Sequence, residues 1–351
     1  MADMKISINS RKIGEGEPVF VIAEAGVNHN GKLSLARRLI DAASDAGADA
    51  VKFQTFKTEN LVTISAKKAE YQKQSDSTSI TQFQMLKNFE LQETEFKKLS
   101  IYAKKKGLIF LSTAFDEDSV ELLAKLKVPA FKIPSGEITN FPYLKKIAMQ
   151  KKPVILSTGM STIEEIREAV SLLKDQGCNE IVLLHCTTSY PASMESVNLR
   201  VLNTLRNIFC LPIGYSDHTE GVVIPIAAVA LGACVVEKHL TLDRTLPGPD
   251  HKASVEPDEF KKMVRAIRDV ESAMGDGEKK LEPCEECNRD IVRKSIVAAK
   301  NISKGSKIIK NMLAIKRPGT GIEPKYFEKI VGKKALFPIK KDTIINWDMI
   351  E

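Results

Sequence analysis

Two histidines occupy matching places in two consecutive segments of this sequence. His218 lies in LPIGYSDHT and His239 lies in CVVEKHLTL, and each follows a short apolar run. Imidazole nitrogens bind Mn, Fe, Co and Zn ions, so two adjacent strands that end in these residues would bring both rings to one divalent ion. The alternative is a pair of hydrogen-bonded core histidines. The matching positions favour the metal site.

Two lysines also follow apolar runs, Lys52 in ADAVKFQTF and Lys132 in AFKIPSGE. An ammonium group in apolar surroundings needs an anionic partner or a lowered pKa. The first case is the binding of phosphate and carboxylate groups, and the second is Schiff-base formation with a carbonyl substrate. Hydroxyl side chains at the ends of other runs resemble an anion cradle and favour binding. They are Ser112, Thr113, Ser135, Ser157 and Ser216.

Eight short runs rich in Val, Ile and Phe carry these residues, and stretches with helical periodicity separate the runs. The runs predict strands near residues 19–26, 48–56, 107–115, 130–137, 153–160, 180–189, 211–219 and 234–242. Ser161 with Glu164 predicts a capping box at the start of one helix. Eight strand–helix units with apolar strands predict an α/β fold, a closed (β/α)8 TIM barrel instead of a doubly wound open sheet. Polar residues at the strand ends would then meet on one face, where such barrels build active sites.

The pattern changes after Met274. Residues 276–290 are charged and rich in helix breakers, which predicts a linker. Residues 291–351 contain short apolar runs broken by Lys-Gly, Pro-Gly and Lys-Asp turns, which predicts a small unit of irregular β structure. The domain prediction is therefore a barrel at 1–275, a linker at 276–290 and a second domain at 291–351.

Composition and charge narrow the class of protein. Hydrophobic residues make up 43% and charged residues 28% of the 351 positions, which is typical of a globular protein. The net charge is +7, but no basic tract or aromatic–basic stripe indicates nucleic acid binding. A polar start at 1–17 and the lack of a long apolar run predict neither a signal peptide nor a membrane span. Six cysteines in a chain of this length predict a reducing, cytoplasmic location instead of a disulfide framework.

Several segments together resemble the sialic acid synthase family, the phosphoenolpyruvate-dependent synthases of nonulosonic acids. They are AEAGVNHNG, KFQTF, STAFD, FKIPSGE, LSTGM, LHCTTSYP, GYSDHT, EKHLTLDRTLPGPDH and KRPGTG, in the family's order along nearly the whole chain. The tail is similar to the family's antifreeze-like (SAF) domain, a small β-clip fold. The resemblance implies an enzyme, a transferase that forms a carbon–carbon bond.

The resemblance also implies the reaction. Phosphoenolpyruvate would condense with N-acetylmannosamine to give N-acetylneuraminate, a nine-carbon sialic acid, and phosphate would leave by C–O cleavage. Within the family, the alternative is a legionaminic or pseudaminic acid synthase that uses a 2,4-diacetamido hexose. A pyruvate aldolase with a Schiff base on Lys132 or Lys52 is the more remote alternative. A non-catalytic ice- or sugar-binding protein is a third hypothesis, against which the lysine-rich tail argues, because ice binding needs a flat and weakly charged surface.

The site residues that the resemblance implies are matched position by position. Phosphoenolpyruvate would be bound by Lys52, Thr113, Lys132, Ser135, Ser157, Thr188 and Ser216, where Thr188 replaces an Asn that the family often has. The amino sugar would be bound by Glu24, Gln54, Glu137, Tyr190, Asp250 and Arg317. His218 and His239 would ligate a divalent ion, with Mn²⁺ expected and Mg²⁺ or Co²⁺ as alternatives. Glu137 would act as general base or proton shuttle beside Lys52 and Lys132, and Arg317 would reach the partner's barrel in a domain-swapped homodimer.

Overall fold

The structure, a computed structural model of the chain, describes residues 5–75 and 81–351. Contacts between residues divide the chain into two units, Met1–Gly275 and Asp276–Glu351. None of the helices within the described ranges is long and apolar enough to cross a membrane.

The first unit begins with an antiparallel hairpin of β1 (Lys5–Ile8) and β2 (Arg11–Gly14), which the sequence analysis does not predict. Ile8 and Ile13 are completely buried and belong to the same apolar cluster as Phe20, at the start of the first predicted strand. The hairpin therefore covers the end of the barrel at which the strands begin, opposite to the strand ends that carry the polar residues.

Eight parallel strands form a closed barrel in chain order, which confirms the predicted fold. They are β3 (Phe20–Gly26), β4 (Ala50–Thr55), β5 (Ile109–Ala114), β6 (Phe131–Ile133), β7 (Val154–Ser157), β8 (Ile181–Cys186), β9 (Ile213–Asp217) and β10 (Val235–His239). β10 pairs with β3 and closes the ring. Every residue of β3 and β8 is buried, because helices cover the outer face of the sheet and side chains fill the lumen.

Helices surround the strands, and the longer ones pack apolar side chains against the sheet. In the described part of the first unit they are Leu33–Asp45, Thr58–Leu61, Glu70–Ser75, Gln82–Lys87, Glu93–Lys105, Glu117–Lys125, Phe141–Ala148, Ile163–Asp175, Met194–Val197, Val201–Phe209, Val223–Ala230 and Pro257–Met274. Short 3₁₀ helices lie at Ser135–Glu137 and His251–Ala253. The three short helices between Thr58 and Lys87 lie in the long connection after β4.

The predicted capping box lies one residue further along the chain than expected. Thr162, not Ser161, is the N-cap, and its hydroxyl accepts from the Glu165 N–H at 3.3 Å while Glu165 Oε2 accepts from the Thr162 N–H at 2.7 Å. The buried face of this helix, which includes Ile166 and Leu173, sets where the helix begins. Two adjacent hydroxyl residues could cap it, and the packing selects the second.

The second unit has an apolar core of its own, formed by Ile296, Ile302, Ile308, Ile330, Ile345 and their neighbours. Its strands are β11 (Ser295–Ala298) and β12 (Leu313–Lys316), which pair antiparallel. Its helical segments are Pro283–Val292, Lys310–Met312, Pro324–Tyr326, Phe327–Ile330 and Trp347–Met349.

The helix Pro283–Val292 differs from the prediction, because it occupies much of the range 276–290 that the sequence predicts as a linker. Glu282 and Glu285 form a capping box, and Pro283 stands in the first turn, where a missing N–H costs nothing. Breaker and charged residues here start a helix instead of preventing one.

Candidate active site

A cavity of about 860 Å³ opens at the carboxyl ends of the barrel strands. Most of the predicted site residues line it, because the ends of parallel strands in a closed barrel meet on one face. Those in its wall are Glu24, Lys52, Gln54, Thr113, Lys132, Ser135, Ser157, Thr188, Tyr190, Ser216, His218, His239 and Asp250.

Both lysines are buried at the floor of this cavity and bonded to hydroxyl groups. Lys52 Nζ donates to Thr113 Oγ1 at 2.9 Å, and Lys132 Nζ donates to Ser157 Oγ at 2.7 Å. Burial lowers the pKa of Lys132. Burial acts in the same direction on Lys52, but Glu237 and Glu24 outweigh it and raise the pKa of Lys52.

Glu237 joins the two lysines and is a site residue that the sequence prediction omits. Its carboxylate oxygens lie 3.7 Å from Lys52 Nζ and 3.6 Å from Lys132 Nζ, and it accepts from the Ser216 hydroxyl at 3.0 Å. Burial opposes its charge, yet Lys132 and Lys52 hold the pKa of Glu237 below its usual range. Its position two residues before His239, on the same face of β10, was the signal that could have identified it.

Glu24 lies on the other side of Lys52, with Oε2 2.5 Å from Lys52 Nζ. Burial is the largest influence on it and raises its pKa to about 7, against the opposing effect of Lys52. A carboxyl group with this pKa exists in both protonation states near neutral pH, which is what acid–base catalysis requires.

Three of the predicted sugar-binding side chains converge around Gly26. A Cβ atom at Gly26 would lie 3.2 Å from Glu24 Oε1, 3.4 Å from Gln54 Nε2 and 3.5 Å from Asp250 Oδ2. Gln54 also donates to Glu24 at 3.4 Å. Burial raises the pKa of Asp250 to about 6. This side of the cavity therefore offers carboxyl and amide groups, the partners that hydroxyl and acetamido groups of a sugar would need.

The rings of His218 and His239 lie with their centroids 5.6 Å apart, next to the Tyr190 ring. His218 Nδ1 lies 2.7 Å from the carbonyl oxygen of Thr187. A carbonyl oxygen only accepts, so Nδ1 is the donor. In the neutral ring the lone pair of Nε2 is then left for another partner. His239 Nδ1 is buried and has no hydrogen-bond partner in the described residues. Burial, and then the neighbouring His218, hold the pKa of His239 well below its usual range. A neutral ring with an unpaired buried nitrogen fits a metal ligand.

The two histidines would be the main protein ligands of such an ion. Within residues 5–75 and 81–351, no group of three or more His, Cys, Asp or Glu side chains is arranged to hold a metal. A two-imidazole site leaves the other coordination positions for water or substrate oxygens, as an ion that acts on a substrate needs.

The loops after β6, β7 and β8 come together beside the lysines. Ser135 Oγ accepts from the Gly159 N–H at 2.9 Å, and Thr188 Oγ1 is buried without a hydrogen-bond partner in the described chain.

Cys186, which the sequence prediction omits, also lines the cavity, with Sγ 3.7 Å from His218 Nδ1. Its place in the segment LHCTTSYP, beside Thr188, was the available signal.

Three predicted residues are not in the cavity wall. Ser112, which the sequence places with the anion-binding hydroxyl groups, is buried with its Oγ 2.6 Å from Thr55 Oγ1. Glu137 is half-buried in its 3₁₀ helix, where Oε2 accepts from Asn140 Nδ2 at 2.6 Å, whereas its neighbours Ser135 and Gly136 line the cavity. Arg317 lies exposed in the second unit, directly after β12. The roles predicted for these three residues stay predictions.

Comparison with known proteins identifies the family. Residues 39–279 match the model of the NeuB family, and residues 293–351 match the SAF domain. The chain belongs to the NeuB family. The match confirms the family resemblance and the barrel with its C-terminal SAF domain.

Three relatives of this NeuB-family chain are named as synthases, which confirms the prediction of an enzyme. N,N'-diacetyllegionaminic acid synthase of Legionella pneumophila is 49% identical over 342 residues, covering 96% of each chain. The enzyme of the same name from Campylobacter jejuni is 52% identical, covering 93% of this chain and 98% of that protein. Human N-acetylneuraminate-9-phosphate synthase is 38% identical, covering 97% of this chain and 95% of that protein.

A solved structure has the same fold. It is the N-acetylneuraminic acid synthetase of Leptospira borgpetersenii in complex with citrate, with a TM-score of 0.72 and 37% identity. The match covers 82% of this chain and 95% of that one.

Proposed function

We propose that this NeuB-family enzyme condenses phosphoenolpyruvate with a 2,4-diacetamido hexose to give a nonulosonic acid of the legionaminic type. The observation that carries the choice of sugar is the identity of 49% and 52% with two N,N'-diacetyllegionaminic acid synthases, against 38% with the human enzyme that makes N-acetylneuraminate 9-phosphate. The relatives thus favour the family alternative over N-acetylmannosamine, the acceptor that the sequence analysis put first.

The anion would bind over the two lysines. Lys52, Lys132 and the charged Glu237 together carry one net positive charge, and Glu24 adds a negative charge only in part at neutral pH. Thr113, Ser157 and Ser216 already direct their hydroxyl groups to this cluster. Ammonium and hydroxyl donors fixed before the substrate arrives stabilise a phosphate without reorganisation.

The reaction forms one carbon–carbon bond, forms a C2–O bond with water and breaks the C2–O bond to phosphate. C3 of phosphoenolpyruvate attacks the aldehyde carbon of the open-chain sugar, and water adds at C2. Phosphate then leaves as the bond between C2 and the phosphate oxygen breaks. Glu24 would take the proton from this water, because its pKa of about 7 suits a general base at neutral pH. Glu137 remains the sequence-based candidate for the same role.

His218 and His239 would hold the divalent ion, with Mn²⁺ expected. Bound there, such an ion would supply Lewis acidity toward the aldehyde oxygen. The proposal also keeps the domain-swapped homodimer, in which Arg317 of one subunit completes the site of the other, and this part rests on the family resemblance.

The test is phosphate release from phosphoenolpyruvate with purified protein and Mn²⁺, with 2,4-diacetamido hexoses and N-acetylmannosamine as acceptors. We expect faster release with the diacetamido sugar that leads to legionaminic acid, together with a nine-carbon keto acid detected by mass spectrometry. Faster release with N-acetylmannosamine would restore the sialic acid assignment. Release with none of these sugars would contradict the synthase proposal.

One observation bears on the Schiff-base aldolase. Burial lowers the pKa of Lys132, as an amine nucleophile requires. The same amine, however, is bonded to Ser157 and lies 3.6 Å from Glu237, which is the arrangement of an anion-binding ammonium group. Borohydride treatment in the presence of pyruvate should therefore give no adduct, and a pyruvyl adduct on Lys132 would establish the aldolase instead.

A further inference from the structure

Behind the two histidines lies a buried ion pair that the proposed reaction does not use. Asp217 and Lys238 directly precede His218 and His239 and face each other in the register of β9 and β10. Both side chains are 0% exposed. Because successive side chains of a strand point to opposite faces, the ion pair lies on the outer face of the barrel, while the histidines face the cavity.

Asp217, Lys238 and Thr219 are joined by mutual hydrogen bonds, and we name these three residues the clamp. Lys238 Nζ donates to Asp217 Oδ2 at 2.6 Å and also to the Thr219 carbonyl oxygen. Asp217 Oδ1 accepts from the Thr219 N–H at 3.0 Å and from the Thr219 hydroxyl at 2.9 Å. The residues on both sides of His218 are therefore tied to the residue that precedes His239.

A buried ion pair is weak evidence for a role in stability. Taking two opposite charges out of water costs several kcal/mol for each ion, and well-packed apolar side chains of similar volume are often as stabilising or more so. The best-attested use of such pairs is to fix a register. Here the register is that of two strand ends, which carry imidazoles with centroids 5.6 Å apart.

We propose that the clamp is a positioning device, which holds the two imidazoles in one relative position before a divalent ion binds. The inference rests on the proposed metal site, and the clamp residues touch neither ion nor substrate. The backbone of His218 is fixed through Thr219, and its ring is fixed by the bond from Nδ1 to the Thr187 carbonyl. Loss of the clamp removes the first of these constraints. The ion must then order the backbone around His218 when it binds.

The mildest test changes one hydroxyl group. Thr219→Val keeps the shape of the side chain and removes its hydrogen bond to Asp217, whereas Thr219→Ser keeps the hydroxyl. Metal-free, full-length protein is titrated with Mn²⁺, and free Mn²⁺ is measured by electron paramagnetic resonance without substrates. We expect Thr219→Val to raise the Mn²⁺ dissociation constant about tenfold, as changes behind metal ligands commonly do, and Thr219→Ser to stay within about twofold of wild type.

A double variant, Asp217→Leu with Lys238→Met, removes the ion pair without leaving a single buried charge. We expect a folded protein whose Mn²⁺ dissociation constant rises roughly 10- to 100-fold. The control is Asp49→Leu with Arg268→Met, which removes a partly exposed ion pair of 3.0 Å beside the start of β4, at the opposite end of the barrel. Arg11 and Glu271 lose a partner in this variant, but both are themselves partly exposed to water. Both double variants conserve net charge, so the control should lose stability but keep its Mn²⁺ affinity.

Unchanged Mn²⁺ affinity in folded Thr219→Val and in the folded double variant would overturn the proposal. If the double variant does not fold, the Thr219→Val and Thr219→Ser pair decides by itself. If wild-type protein does not bind Mn²⁺, the metal assignment of the proposed function fails, and crystal structures of metal-free wild type and Thr219→Val test the clamp separately. A displaced His218 ring in the variant would support positioning, and superimposable rings would exclude it.

Discussion

Glu24 shows how far burial changes the chemistry of a single residue. In the sequence it is one of many glutamates, and its place at the end of a predicted strand indicates only that it faces the site. In the folded protein it is 2% exposed and lies against Lys52, and burial raises its pKa to about 7. The acid–base role proposed for it follows from this environment.

The same shift predicts a pH-dependent effect of Glu24→Gln on stability. The folded protein keeps a proton on Glu24 up to about pH 7, whereas the unfolded chain loses it near its ordinary value of 4.5. Between these values the folded state binds more protons, so stability falls as pH rises through the window. Glu24→Gln lacks this loss, and its free energy of unfolding should exceed that of wild type by up to roughly 3 kcal/mol at pH 8.

Urea unfolding at pH 4 to 8 would measure this difference, with the exposed Glu164→Gln as control. The gain should vanish near pH 4, because Glu24 is then protonated in both states. A gain independent of pH would contradict the raised pKa. The same variant should lose activity by a factor on the order of 100 or more, as the loss of a general base does.

At the scale of elements, the site depends on how closely the loops after β6, β7 and β8 approach one another. Gly159 lies at the closest point. A Cβ atom there would be 2.2 Å from Thr188 Oγ1 and 2.9 Å from Ser135 Oγ, both predicted to bind phosphoenolpyruvate. Only a residue without a side chain leaves both hydroxyl groups in these positions.

Gly159→Ala should therefore weaken phosphoenolpyruvate binding. The added methyl group must displace Thr188 or Ser135, and losing one hydrogen bond to an anion corresponds to roughly a tenfold rise in KM for phosphoenolpyruvate. Gly136→Ala is the matched control, because it also lies in the cavity wall but its Cβ would meet nothing within 4 Å. Steady-state kinetics that show equal effects of both substitutions would remove the steric argument.

The order of elements follows from the sequence, but several details do not. Apolar runs mark every barrel strand. The hairpin of β1 and β2 is too short and too polar on its outer face to stand out, since only contact with the barrel interior buries Ile8 and Ile13. The helix Pro283–Val292 lies in a segment whose charges suggest a linker, because a capping box depends on local geometry more than on composition.

At the scale of the whole molecule, the barrel and the SAF unit each contain an apolar core. Each could therefore hold its fold by internal contacts. The proposed function gives the SAF unit a part in catalysis through Arg317, which is exposed within that unit.

Arg317→Ala should leave the oligomeric state of the protein unchanged and reduce turnover. An exposed side chain adds little to folding, whereas a charged hydrogen bond to substrate is worth about 1.5–3 kcal/mol, so we expect kcat/KM to fall roughly 10- to 100-fold. Light scattering would measure the oligomeric state and phosphate release the activity, with the exposed Lys340→Ala as control. Wild-type turnover in Arg317→Ala would contradict the proposal that the SAF unit contributes Arg317 to the site.

The sequence by itself determined the barrel, its order of strands and a set of site residues, most of which lie in the cavity wall. It could do so because a parallel strand buried on both faces must be apolar, and polar residues at its carboxyl end therefore stand out. Only the tertiary structure decided that Glu237 lies between the two lysines, that Glu24 has a raised pKa, and that Asp217 and Lys238 pair behind the histidines. These features depend on distances between residues remote in the chain and on the exclusion of water. A local stretch of sequence determines neither these distances nor the access of water.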